Sequence, residues 1–331
     1  MPHIAVVTPC YNEEGNVIEL YNRIGNVFKT LPGYTYDHVY IDNCSTDGTV
    51  KLLRELAARD RRVKVICNVR NFGHIRSPMY GITQAQGDAT ILMVSDLQDP
   101  PEMIPDLIKK WEEGFKVVAC VKEEAEESPL FFAVRKAYYN LVSRIAEIKL
   151  IKNFTGFGLY DKQVIDIIRG IDDPYPYFRG LICDIGFETA ILKYKQPLRK
   201  RGFTKNNFYT LYDMAMLGII NHSRLPLRMA TISGFIISAF SIFIAVGYLI
   251  AKLIAWQSFT IGVIPLVVGV FFLGGINLFF TGIIGEYVGT ILTQVQKRPL
   301  VIERERINFD VPATSTAFGL KPGRISSIEE F

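Results

Sequence analysis

Two long stretches without a charged side chain restrict this sequence more than any other feature. From Met229 to Ala251, MATISGFIISAFSIFIAVGYLIA, and from Ile261 to Gly285, IGVIPLVVGVFFLGGINLFFTGIIG, no Asp, Glu, Lys or Arg occurs. Each is long enough to cross roughly 30 Å of hydrocarbon as a helix. Core helices of soluble proteins seldom run so far uncharged, so two membrane spans are expected. Lys252 is the only Lys or Arg between them, whereas Arg224 and Arg228 precede the first and Lys297 and Arg298 follow the second. That asymmetry places both termini on the cytoplasmic side. The amino-terminal residues do not read as a signal peptide, because no basic region and cleavage site flank an apolar core there.

The remainder of the 331 residues has ordinary polarity, and the net charge of +4 is modest. The basic residues gather near the spans, in LRKRGFTK at 198–205 and at Arg224 and Arg228. Such a cluster favours anionic lipid or a phosphorylated substrate. Without an aromatic-interleaved basic motif, nucleic acid is not an expected partner. Cysteines 10, 44, 67, 120 and 183 show neither paired spacing nor CxxC and read as reduced, small buried residues.

Short β-rich runs, HIAVVTP, HVYID, VKVICN and ATILMV, alternate with helical patterns such as EEGNVIELYNRIGNVFKTL and TVKLLRELAARD. Strands alternating with helices predict an α/β fold built on a mostly parallel, doubly wound, Rossmann-like sheet. Ligands of such sheets sit beyond the carboxyl ends of the strands. There the sequence offers TPCYNEEGN with Pro9, Tyr11, Glu13 and Glu14, DNCSTDGT with Asp42 and Asp47, NVRNFGH with His74, and DLQDPPE with Asp96, Gln98 and Asp99. Carboxylates at this density are expensive unless a cation sits among them. Taken singly, Glu13 and Glu14 also suit a helix amino terminus, and Asp47 suits a cap. His74 is not part of a metal cluster, since the other histidines, at 3, 38 and 222, lie far away in sequence.

In combination these motifs are more specific. PCYNEE, IDNCSTDGT, RNFGH and DLQDPPE, followed by GLYDKQV, FRGLI, RGFTK, the two spans, GEYVGTI and KRPL, resemble the family 2 glycosyltransferases of GT-A fold. The likeness is to the membrane branch that transfers a sugar from a nucleotide to a polyprenyl phosphate, the dolichyl-phosphate mannosyltransferases and bacterial undecaprenyl-phosphate glycosyltransferases. The resemblance implies an inverting enzyme of the cytoplasmic membrane face, with a nucleotide-sugar donor, UDP-sugar favoured, and undecaprenyl phosphate as acceptor. It implies Mg²⁺ or Mn²⁺ held by Asp96 and Gln98 against the donor diphosphate, a nucleotide pocket lined by Pro9, Tyr11, Glu13 and His74, and a base contact from Asp42. A lipid phosphate is already anionic and attacks without a base, so cations must screen two phosphate groups. Arg179, Arg201 and Lys205 are the candidates, with Arg135, Asp99 and Asp161 as further site residues.

The expected organisation is a catalytic domain over 1–206, interfacial helices over 207–228, two transmembrane helices over 229–292, and a cytoplasmic tail over 293–331. In that tail LVIERERINF alternates with a period of two. It is expected to add as a strand to a sheet edge, with a neighbouring subunit as one place for it, and to help tie a homo-oligomer; a disordered tail is the alternative. Glycines 274, 275, 282, 285 and 289 suit close helix contact. Two departures from the family pattern stand out. Val94 replaces the first Asp of D-x-D, and TGFGLYDK replaces GDFRLxDR, so that Gly156 and Gly158 occupy the acidic and basic positions and Asp161 is left as the acidic substitute. Two other readings compete. A processive polysaccharide synthase would carry a QxxRW motif, which the two tryptophans, Trp111 and Trp256, do not form. A membrane scaffold that had lost activity would not be expected to keep Asp96, Gln98, Arg201 and Lys205. No motif identifies the sugar.

Overall fold

The computed structural model describes residues 1–123, 150–197, 225–254 and 263–309. Its first half follows the apolar pattern closely. β1 (His3–Cys10), α1 (Val17–Lys29), β2 (Thr35–Asp42), α2 (Thr49–Arg59), β3 (Val63–Asn68), α3 (Gly73–Gln84) and β4 (Ala89–Leu92) alternate along the chain. β1 pairs in parallel with both β2 and β4, and β2 with β3. Ile4 to Thr8 are all buried, as a central strand covered on both faces requires. Within β1, Ile4 and Val6 face a cluster with Leu20, Ile24 and Phe28 of α1. Ala5 and Val7 face the opposite cluster with Met79 and Ile82 of α3. The period of two in the strand thus meets helices on either side.

The second half is antiparallel where it joins the first. A short 3-10 turn (Pro101–Met103) leads into α4 (Ile104–Glu112), then β5 (Val117–Lys122), β6 (Phe154–Asp161), α5 (Lys162–Gly170), α6 (Phe178–Ile185) and β7 (Thr189–Tyr194). β6 runs antiparallel to β4 and β5, and β5 parallel to β7. Among the described residues the sheet order is β7-β5-β6-β4-β1-β2-β3-β8, the last strand being Glu303–Ile307.

β8 (Glu303–Ile307) is the tail strand, and it settles on its own chain, antiparallel to β3 with Val65 opposite Ile307. The expected addition to a sheet edge takes place within the same chain: the open edge of β3 receives the strand. Asn308 Nδ2 donates to the carbonyls of Ala57 (2.7 Å) and Val63 (2.9 Å), and Arg54 meets Glu305 at 2.5 Å.

α7 (Leu225–Ile254) and α8 (Val263–Gln296) are long and apolar enough to cross a membrane. Phe235, Phe243 and Phe271 are more than three-quarters exposed, a surface suited to lipid rather than water. α7 starts inside the stretch assigned to interfacial helices, and α8 continues past the expected boundary at 292. Residues 207–224 of the expected interfacial segment lie outside the described residues. The α8 glycines named above meet no heavy atom within 4 Å of an ideal Cβ among the described residues. The carboxyl end of α8 is fastened to the sheet domain: Gln294 Nε2 donates to Asp173 Oδ1 (2.8 Å), and Lys297 pairs with Asp172 (2.7 Å).

Candidate active site

The crevice forms where β1, β2, β3 and β4 end, because parallel strands deliver their following loops to one edge. Pro9 and Tyr11 leave β1 beside Asp42 at the end of β2, with Cys10 and Asp42 in register. The two loops are laced together. Asn12, in the left-handed region at φ 57, receives Thr46 N–H on its Oδ1 (2.8 Å) and donates its own N–H to Ser45 Oγ (2.9 Å). Glu13 N–H donates to Thr49 Oγ1 (2.9 Å), and Gly48 N–H to Glu14 Oε2 (2.7 Å). Asp47 accepts from the N–H groups of Glu14 and Thr49. Glu13 Oε2 accepts from Asn16 Nδ2 at 2.6 Å. Glu13, Glu14 and Asp47 thus all help to organise the loops.

Asp42 is fully buried, and both its oxygens accept from Ser45, at 2.5 and 3.0 Å. Burial raises its pKa, against the lowering effect of those bonds. Next to it, Asn43 builds a network the sequence did not disclose. Its Oδ1 accepts from Phe72 N–H (2.8 Å) and Asn68 Nδ2 (3.2 Å), and its Nδ2 donates to Asn71 Oδ1 (2.8 Å). This network fixes the RNFGH loop. Asparagines following β2 and β3 were a signal, but they read equally well as turn formers.

His74 stands in the first turn of α3, within electrostatic reach of Arg179 of α6. Desolvation first, and the Arg179 cation second, hold the imidazole pKa below its ordinary value. Arg179 Nη1 reaches the Phe154 carbonyl at 3.5 Å. The fold therefore brings together two site residues far apart in sequence.

After β4 the chain makes a strained turn. Leu97 is left-handed at φ 63, and Gln98 N–H donates to Asp96 Oδ1 at 3.1 Å. A leucine in this conformation costs about 1–2 kcal/mol, which burial of its side chain, 3% exposed, offsets. The result holds Asp96 and Gln98 on either side of a buried anchor. Gln98 Nε2 points to the Pro197 carbonyl (3.5 Å). Asp99 has a different environment: it is 3% exposed, its Oδ2 accepts from Val94 N–H (3.1 Å), and its Oδ1 from the Tyr194 hydroxyl (3.0 Å). Burial pushes its pKa up to about 6. Asp99 supports the loop, and Asp96 is the partly exposed carboxylate.

Among the described residues no cluster of three or more His, Cys, Asp or Glu could hold a metal by itself. One carboxylate and one amide are an incomplete shell for a hard cation, which needs further oxygens. The pair fits an ion that arrives with a diphosphate and water, not one caged by protein alone.

Asp161 is corrected. It lies opposite Ala89, at the far end of β4 from the crevice, and its carboxylate caps α5 by accepting from Gln163 N–H (2.9 Å), Trp111 Nε1 (2.7 Å) and Lys116 Nζ (3.1 Å). Burial raises its pKa, but these donors together hold it below the ordinary value. It is not an acceptor-side acid. Gly156 and Gly158 also have backbone reasons for being glycine: Gly156 sits at φ +103, and a Cβ on Gly158 would overlap the Val118 carbonyl oxygen. Arg135, Arg201 and Lys205 lie outside the described residues.

The model of the glycosyl transferase family 2 matches residues 5–168. An uncharacterized glycosyltransferase, sll0501, of Synechocystis sp. is 34% identical over 90% of this chain and 94% of its own length. The putative glycosyltransferase CsbB of Bacillus subtilis is 32% identical, over 94% and 95%. The SfII prophage-derived bactoprenol glucosyl transferase of Shigella flexneri is 31% identical, over 90% and 96%. Among solved structures, glucosyl-3-phosphoglycerate synthase of Mycobacterium tuberculosis, in complex with Mn²⁺, UDP and phosphoglyceric acid, matches with a TM-score of 0.47 at 18% identity. That match covers 66% of this chain and 76% of the other.

Proposed function

This chain belongs to the glycosyl transferase family 2, and we propose that it transfers a sugar from a nucleoside diphosphate, UDP in the first instance, to a polyprenyl phosphate at a membrane surface. The observation that carries the reading is the presence, in one chain, of the partly exposed Asp96 beyond β4 and two unburied apolar helices, the second tied by its end to the loop before α6. The bactoprenol glucosyl transferases among its relatives support the choice of acceptor.

In this reading a phosphate oxygen of the acceptor attacks the anomeric carbon as the bond to the nucleoside diphosphate breaks, which inverts the configuration. The attacking group is already an anion, so no protein base is needed, in keeping with the absence of an acid at Gly156. Pro9, Tyr11, Glu13 and His74 line the nucleotide side, whereas Asp42, fully buried and bonded to Ser45, contacts no base directly and holds the loop after β2 in place. Asp96 and Gln98 would hold Mg²⁺ or Mn²⁺, which when bound would neutralise charge on the departing diphosphate. Arg179, with Arg201, Lys205 and Arg135, screens the two phosphates from one another. The catalytic domain and both termini lie on the cytoplasmic side of the inner membrane, and the protein works as a homo-oligomer.

The test is transfer in lipid nanodiscs, with undecaprenyl phosphate and a panel of radiolabelled nucleotide sugars, followed by chromatography of the lipid fraction. Labelled lipid sensitive to chelator is expected; no product with any donor overturns the reading. For topology, a cysteine replacing Gln257 in a variant without native cysteines should react with an impermeant thiol reagent from outside intact cells. Crosslinking in native membranes reports the oligomer, and a species that stays monomeric rejects that part.

A further inference from the structure

Three arginines from two distant parts of the chain meet beside the crevice. Arg70 and Arg76 flank the loop fixed by Asn43, and their guanidinium carbons lie 4.0 and 5.3 Å from the ring centre of the buried Phe72. Arg76 also donates from Nη2 to the Pro299 carbonyl, which brings the segment just after α8, with Arg298, against it. Among the described residues none of the three has a carboxylate partner. The nearby acids are engaged elsewhere: Asp172 pairs with Lys297, and Asp173 accepts from Gln294 and from Tyr175 N–H. Arg76 Nε is moreover buried with no hydrogen-bond partner.

Such a group of like charges is costly as it stands. Desolvation first, then the neighbouring Arg70 and Arg298 cations, lower the pKa of Arg76. An anion accepting from several guanidinium groups would relieve the repulsion and satisfy the orphaned donor, and phosphate matches the planar fork of arginine. The location selects the kind of phosphate. Arg298 follows directly on the apolar α8, the level at which lipid headgroups meet a spanning helix.

We propose that Arg70, Arg76 and Arg298 form a phosphate-binding site for a lipid-borne phosphate, at the junction of the catalytic crevice with the carboxyl end of α8 and separate from the Asp96 loop. The bound group adds a further tie between the RNFGH loop and the chain leaving α8, which already meet through Arg76 and the Pro299 carbonyl. Its source is either a bilayer phospholipid headgroup or the phosphate of the acceptor, and only the second source rests on the reading above.

The test uses the full chain in nanodiscs, as wild type, Arg76→Gln, Arg298→Gln and the double variant. Thermal melting first establishes that each variant is folded, and Arg76→Lys serves as a milder change should Arg76→Gln not fold. Native mass spectrometry then counts phosphatidylglycerol retained against a phosphatidylcholine background, a readout independent of catalysis. Transfer assays give KM for undecaprenyl phosphate and for the donor. A headgroup source predicts that the double variant loses retained phosphatidylglycerol with acceptor KM unchanged. An acceptor source predicts a rise of about tenfold in acceptor KM with donor KM unchanged. Folded variants that change neither retention nor acceptor KM overturn the proposal, as does a rise confined to donor KM. Absence of transfer by the wild type would reject the functional reading and leave the retention measurement to decide this one.

Discussion

The Tyr194 hydroxyl donates to Asp99 Oδ1 at 3.0 Å, and through this bond β7 holds the loop on which Asp96 stands. The bond couples a titrating group to the position of the Asp96 carboxylate. Asp99 is shifted up to about 6 from 3.8, burial being the main cause. Its native pKa lies above its unfolded one, so between about pH 4 and 6 the unfolded chain holds fewer protons, and stability falls as pH rises through that window. Asp99→Asn should remove this decline, which amounts to up to about 3 kcal/mol. Melting curves of wild type and variant from pH 4 to 7 check it: their difference should narrow or reverse as pH rises, and a constant difference would deny the shift.

Asp96→Asn should leave the melting temperature within about 2 °C of wild type, since the side chain is partly exposed and its backbone-directed bond to Gln98 is retained by an amide oxygen. Turnover should drop by about 100-fold or more, because stabilisation of the leaving group is a large term in such reactions. Steady-state kinetics at saturating donor, alongside titration with Mg²⁺ and Mn²⁺, measures this. Unchanged turnover would remove Asp96 from the site.

Gly158→Ala should destabilise by about 3 kcal/mol, because its Cβ would collide with the Val118 carbonyl oxygen, and backbone cannot rotate aside as a side chain can. Restoring the basic residue of the family pattern at this position should therefore fail to give folded protein instead of improving activity. Yield and thermal melting in detergent decide the matter.

Ending the chain after Pro299 should expose the β3 edge now covered by β8 and remove Glu305, the partner of Arg54 at 2.5 Å. The expected outcome is a lower melting temperature and aggregation, as open edges promote. Size-exclusion chromatography with light scattering separates this from simple subunit dissociation. A monodisperse, equally stable truncation would make β8 dispensable.

The strands β1 to β4 could be read from the sequence because parallel strands buried on both faces are continuous apolar runs. β6 could not: FTGFGLYD carries glycines at 156 and 158 that mimic a loop, and the need for them lies in a left-handed backbone and in the approach of Val118, contacts made only in three dimensions. β7 is half-exposed, with Ile191 53% accessible, and so lacks a clean alternation. In the site, Asp96 and Asp99 look alike in DLQD, and only burial under Tyr194 separates the partly exposed carboxylate from the supporting one. Asp161 likewise belongs to a motif segment, yet strand direction carries it to the opposite end of the sheet. Register between β4 and β6, which decides that, leaves no mark in a single sequence.

With Asn12 bonded to Ser45 and Thr46, and Glu14 to Gly48, the loops after β1 and β2 behave as one stiff jaw before any ligand arrives. Immobilising a flexible residue costs about 1–2 kcal/mol, and here that cost is met during folding and not on encounter with a donor. Affinity on this side of the crevice is therefore set by shape already present. A substitution at Asn12, which never needs to touch a nucleotide, would soften both loops at once and weaken binding through entropy alone.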